Sequence, residues 1–129
     1  MPEDTLTKKI IGLAIEVHKN LGPGLLESAY RDCLCHEFTL NNIPFEKEKA
    51  LALNYKGLDI LNSYRMDIIV DNRILIELKA VDKILPIHKA QIITYLKLSG
   101  IDTGLLINFH TFLLKEGIER FSRELLGSN

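Results

Sequence analysis

The sequence predicts an α/β domain in which helices flank a mixed sheet. Three observations carry that expectation. The hydrophobic period shifts at Phe45 from helical, about 3.6 residues, to the two-residue alternation of strands. Two aliphatic runs meet at the tight turn Asp71-Asn72. A helix-length segment opened by Pro86 and closed by Gly100 then precedes a third aliphatic run. The resulting order is α-α-β-β-β-α-β with a tail.

Asp4-Thr5 can cap a first helix that runs to about Asn20, with Ile10, Ile11, Ala14, Ile15 and His18 on one face. Gly22-Pro23-Gly24 breaks it. A second helix is expected from Leu25 to Asn41, striped by Leu26, Ala29, Tyr30, Cys33, Leu34 and Phe38. Asn41-Asn42 stops it, and Pro44 bars continuation. Phe45 to Leu53 alternates imperfectly and reads as an outer strand, followed by the turn Asn54-Tyr55-Lys56-Gly57. Ser63–Val70 and Arg73–Ala80 carry the near-continuous aliphatics of central strands covered on both sides. Pro86–Ser99 is a helix and Thr103–Phe109 a buried strand. Between Phe112 and Leu126 the pattern is ambiguous: Ile118, Phe121 and Leu125 suit a helix that Gly117 interrupts.

A chain of 129 residues is the size of one domain, residues 1–129, and can bury a core without staples. Its formal net charge of −1 excludes a polycation, so any grip on nucleic acid must come from a local cluster of Lys and Arg. The two cysteines, Cys33 and Cys35, would point roughly 200° apart on a helix, which suits neither a disulfide nor a shared metal. They read as thiols of a reducing compartment. The start Met-Pro-Glu-Asp is unlike a signal peptide, and no apolar run approaches the ~20 residues of a membrane helix. A cytoplasmic protein without membrane attachment is expected.

The chemistry lies around Asp71-Asn72. On a strand, Glu77 and Lys79 share a face roughly 6–7 Å apart, while Ile76, Leu78 and Ala80 face the other way. If the strands pair about the turn, Asp67 lies near the same end as Glu77. Charged groups set in aliphatic strands are costly to bury without a purpose. Converging carboxylates suit a hard cation such as Mg2+ or Mn2+. An adjacent ammonium can orient a water or stabilise phosphate charge. Taken alone, Glu-x-Lys reads first as a strand-end salt bridge, Glu77 with Lys79 or Asp67 with Arg65; the Asp on the preceding strand, Glu27 and the Gln91–Tyr95 pair shift that reading. Glu27 reads as a carboxylate favoured in a helix's first turn. Gln91 and Tyr95, at i and i+4, share a helix face.

With these residues in view, the sequence resembles a known family. Gly24-x-x-Glu27-x-x-Tyr30 is similar to the signature of the GxxExxY proteins of the PD-(D/E)XK nuclease superfamily. The resemblance continues through Tyr64-Arg65-Met66-Asp67, Ile76-Glu77-Leu78-Lys79-Ala80-Val81, Gln91-x-x-x-Tyr95 and Leu105–Phe109, and covers nearly the whole chain. The motif order also resembles RecB-like nucleases. The resemblance implies a restriction-endonuclease-like fold and a site in which Asp67, Glu77 and Glu27 hold the metal, Glu27 directly or through water. It implies that Lys79 serves the water or phosphate, with Glu27, Asp67, Glu77 and Lys79 as the catalytic set. Gln91, Tyr95 and Tyr30 would position substrate. Met66 stands where the superfamily's motif has proline.

Of the four histidines, His18 lies on an apolar stripe and reads as a packing residue. His88, beside Lys83 and Lys89, could touch phosphate or simply begin a helix. His36 and His110 lack a partner at ligand spacing. The expected function is therefore metal-dependent hydrolysis of nucleic acid, DNA before RNA. The alternatives are a non-catalytic nucleic-acid-binding or assembly module, and a hydrolase of another phosphate ester. A homodimer is left open.

Overall fold

The computed structural model describes residues 1–61 and 64–123. Helices α1 (Glu3–Leu21) and α2 (Glu27–Leu40) are followed by strand β1 (Phe45–Ala50), the short pair β2 (Leu53–Tyr55) and β3 (Leu58–Ile60), and strands β4 (Arg65–Val70) and β5 (Ile74–Lys79). Helix α3 (Pro86–Ser99), strand β6 (Thr103–Asn108), a 3-10 turn (Leu114–Gly117) and strand β7 (Ile118–Ser122) complete the order. The main sheet has five strands in the order β1-β4-β5-β6-β7. Only β5 and β6 run parallel, joined across by α3; the other pairs are antiparallel. A mixed sheet flanked by helices is thus the architecture.

Alternation along the strands divides the core. Ile68, Val70, Ile74, Ile76, Leu78, Leu105 and Ile107 pack against Leu6, Ile10, Leu13, Ala14 and Val17 of α1 and Tyr30, Leu34 and Phe38 of α2. On the other side, Ile69, Leu75 and Leu106 meet Ile92, Tyr95 and Leu96 of α3. Gly104 permits that approach: a Cβ there would stand 3.0 Å from Ile92 Cδ1.

Several boundaries differ from the sequence reading. Helix α1 begins at Glu3 behind Pro2, and no side chain caps it, so Asp4-Thr5 lies inside the first turn. The expected outer strand divides: β1 pairs with β4, whereas Leu53–Tyr55 folds back on Leu58–Ile60 as a separate hairpin. The Asp71-Asn72 turn forms as expected, with φ of 51° and 54°, as a two-residue hairpin of primed type requires. The ambiguous tail is a strand over Ile118–Ser122, paired with β6. Gly117 explains why no helix runs through: a Cβ there would collide with the Asn108 carbonyl oxygen, so the chain turns tightly against β6. Leu125 and the start of the expected β4 at Ser63 fall outside the described residues.

Candidate active site

The β4–β5 ladder pairs Val70 with Ile74, Ile69 with Leu75 and Ile68 with Ile76, which sets Asp67 directly opposite Glu77. There the backbone ladder gives way to side chains. The Asp67 amide donates to Glu77 Oε2 at 2.8 Å, and the Leu78 amide donates to Asp67 Oδ2 at 2.8 Å. Each carboxylate therefore replaces a strand–strand bond with one oxygen, leaving Asp67 Oδ1 and Glu77 Oε1 for another partner.

Both carboxyls stand where charge is unfavourable. Glu77 is 3 % exposed. Burial first, and repulsion by Asp67 second, raise its pKa to about 8. Asp67 is also raised, by burial above all, against the opposing pull of the Leu78 amide and Lys79. Glu27, half-buried in the first turn of α2, is raised by burial and then by Asp67. The Lys79 ammonium lowers all three, so it is the positive charge that the acidic groups share.

The structure thus brings Glu27, Asp67, Glu77 and Lys79 into one electrostatic neighbourhood. It does not make the three acids a single ion cage: among the described residues, no group of three His, Cys, Asp or Glu side chains is placed to hold one metal ion. Asp67 and Glu77 form the close pair, and Glu27 stands off at the start of α2. A two-carboxylate donor set fits magnesium, which keeps several of its own waters.

Gln91 and Tyr95 do share a face of α3: Gln91 Nε2 donates to Tyr95 Oη at 3.1 Å. Burial keeps the Tyr95 hydroxyl protonated, and the charges of Glu77 and Asp67 act in the same direction. Beside them, Leu51, Leu53, Tyr64, Thr94 and Leu98 complete a mainly apolar groove of about 290 Å³. Tyr30 does not belong with them. It is wholly buried, stacked on Phe109 at 4.4 Å between ring centroids. Its hydroxyl donates to the Gly22 carbonyl and accepts from the Leu25 amide. It thereby ties down the glycine loop and the start of α2.

His18 is a packing residue, its Nε2 donating to the Thr111 carbonyl at 2.7 Å. His88 is a helix-start residue: its Nδ1 accepts from the Leu85 amide at 3.0 Å. His110 gains partners that spacing did not reveal, the Asp82 carboxylate and the Pro23 carbonyl, each at 3.0 Å. Arg31 was missed altogether. It lies one turn after Glu27 and forms an ion pair with Glu48 at 3.3 Å. The spacing Glu27-x-x-x-Arg31 on an expected helix was the signal that could have found it.

A family model of the PD-(D/E)XK nuclease superfamily matches residues 4–121. The chain belongs to the PD-(D/E)XK nuclease superfamily. No curated protein and no solved structure matches it. The mixed five-stranded sheet with flanking helices is the restriction-endonuclease-like architecture of that superfamily. Its nucleases typically use divalent metals and bind nucleic acid. No helix among the described residues is long and apolar enough to cross a membrane.

Proposed function

We propose that this chain is a magnesium- or manganese-dependent nuclease that hydrolyses phosphodiester bonds, of DNA in preference to RNA, and that it is a GxxExxY-type member of its superfamily. One observation carries the reading. Asp67 and Glu77 face each other across the ladder, each anchored by one oxygen on a backbone amide and each with its other oxygen free of hydrogen bonds among the described residues. A cation held there supplies polarisation of the phosphate and a more acidic water. In hydrolysis, the water oxygen bonds to phosphorus and its proton passes to a base, while the ester P–O bond breaks and the departing oxygen keeps the electron pair and takes a proton from solvent water.

The chain's own groups supply the rest. Lys79 places a positive charge beside the reacting phosphate and offsets the negative charge that develops on it. Glu27, half-buried and raised in pKa, holds or accepts a proton through water. Gln91 fixes the Tyr95 hydroxyl, and the adjoining apolar groove suits the faces of unpaired bases. Free Cys33 and Cys35 fit a reducing, cytoplasmic setting. A homodimer is not part of this reading.

The test is a panel of single-stranded, duplex and branched DNA and RNA, incubated with Mg2+, Mn2+ or EDTA. Cleavage should require the metal and disappear in Glu77→Ala and in Lys79→Ala, with both variants still folded. Cleavage that persists in EDTA or in both variants would overturn the proposal. Binding without cleavage would return the alternative, a non-catalytic nucleic-acid-binding module.

A further inference from the structure

Arg31 sits at the edge of this site without a role in it. On α2 it follows Glu27 by one turn, so both side chains leave the same helix face. Its Nη2 meets Glu48 Oε1 at 3.3 Å, with the arginine side chain 18 % exposed and the glutamate 52 % exposed. The arginine is therefore mostly covered, and the glutamate stands half in solvent.

Glu48 is itself unusual. The β1–β4 register, Lys47 to Ile68 and Lys49 to Met66, sets it opposite Asp67, yet its φ of 52° lifts it out of the strand pairing. The Arg31–Glu48 pair thus stands beside the Asp67 end of the site. The charge of Arg31 acts on both Glu27 and Asp67, and that of Glu48 acts on Asp67.

The pair is also incomplete. Arg31 Nε is buried and has no hydrogen-bond partner among the described residues. Nε and Nη2 form the edge of a guanidinium that grips two oxygens of one anion, and Glu48 engages only the Nη2 half of it. A buried donor left unpaired is unfavourable by about 1–3 kcal/mol. An anion with two oxygens on one centre would remove that defect; Glu48, the exposed and singly bonded partner, is the group it would displace.

We propose that Arg31 is a phosphate-binding residue that grips a backbone phosphate of the nucleic acid next to the Asp67–Glu77 carboxylates, with Glu48 holding its place until substrate arrives. This rests on the nuclease reading for its choice of ligand. The competing view is an ion pair that merely fastens α2 to β1.

The experiment measures binding of a labelled DNA oligonucleotide, single-stranded and duplex, across a salt series with calcium in place of magnesium. Cleavage with Mn2+ is followed in parallel. Arg31→Met should weaken binding roughly tenfold or more. It should also lower the slope of log affinity against log salt by about one. Arg31→Lys should keep the slope while losing much of the affinity, because an ammonium cannot grip two oxygens side by side. Glu48→Gln should bind several-fold tighter than wild type.

An unchanged slope in Arg31→Met, or Glu48→Gln binding no tighter than wild type, would overturn the inference. Should Arg31→Met fail to fold, Arg31→Lys and Glu48→Gln decide it alone. Wild type that cleaves while Arg31→Met keeps its slope sinks this inference and leaves the nuclease reading standing. Wild type that binds with the expected slope change but never cleaves does the reverse. Wild type that neither binds nor cleaves overturns both.

Discussion

The side-chain amide of Asn108 completes the sheet where the backbone can no longer do so: its Nδ2 donates to the Val81 carbonyl at 2.8 Å, and its Oδ1 accepts from the Val81 amide at 3.1 Å. Asn108 also accepts from the His110 amide at 3.2 Å and is itself buried. It clamps the chain two residues beyond Lys79. Replacing it by Leu leaves buried backbone groups unpaired, at about 1–3 kcal/mol each. Asn108→Leu should lower the melting temperature by roughly 5–15 °C and reduce cleavage in the protein that remains folded. A melting curve unchanged from wild type would show that Val81 finds its partners elsewhere.

Metal-free stability should depend on pH through Glu77. Its folded pKa is raised from 4.5 to about 8, by burial first and by Asp67 second. Between those values the folded state holds more protons than the unfolded chain, so stability falls as pH rises, by at most ~1.4 kcal/mol per pH unit. In EDTA, wild type should lose a few degrees of melting temperature per unit from about pH 5 to pH 8. Glu77→Gln keeps an oxygen for the Asp67 amide and should lose much less. Parallel curves for the two proteins would show that Glu77 titrates normally.

Divalent cation should reverse that penalty. A ligand that binds only the folded state adds RT ln(1 + [L]/Kd), about 2.7 kcal/mol at a hundredfold excess over Kd, on the order of 5–15 °C for a domain of this size. Asp67→Asn retains an acceptor for the Leu78 amide while removing one negative charge. It should match or exceed wild-type stability in EDTA and lose most of the rise with millimolar Mn2+. A mutant that responds as strongly as wild type would remove Asp67 from the metal site.

Tyr30→Phe separates loop support from substrate contact. The substitution removes the donor to Gly22 and the acceptor for Leu25 but keeps the stack on Phe109. Loss of one buried hydroxyl with two partners predicts roughly 1–3 kcal/mol of destabilisation, with KM unchanged and kcat lowered only as far as Glu27 is misplaced. A raised KM at full stability would give Tyr30 a direct substrate contact.

The sequence made legible what is local. The turn at Asp71-Asn72 fixes which residue faces Glu77, and strand alternation then puts Lys79 on the same side. Pro86 and Gly100 mark both ends of α3 for the same reason: the backbone requirement sits in the residue itself. What was hidden depends on contacts distant in sequence. Gly117 reads as a flaw in a helix because nothing nearby shows that the Asn108 carbonyl occupies the space a Cβ would need. Tyr30 matches a motif, yet its hydroxyl turns to the Gly22–Leu25 loop, a choice that only packing against Phe109 decides. Arg31 escaped notice because its partner Glu48 comes from a strand whose conformation at that residue no alternation rule would give.

The antiparallel pair β4–β5 contains Asp67, Glu77 and Lys79 within one short stretch of chain. A two-residue turn lets such a hairpin form in about 1–10 μs, whereas the parallel β5–β6 pairing must wait for the α3 crossover. If the hairpin pairs first, the opposed carboxylates meet while still surrounded by water, where their repulsion is screened. The electrostatic strain develops only as α2 and α3 close over them. In that order of events a cation would accelerate the docking of those helices, and refolding rates compared in EDTA and in millimolar Mn2+ are the measurement that checks it.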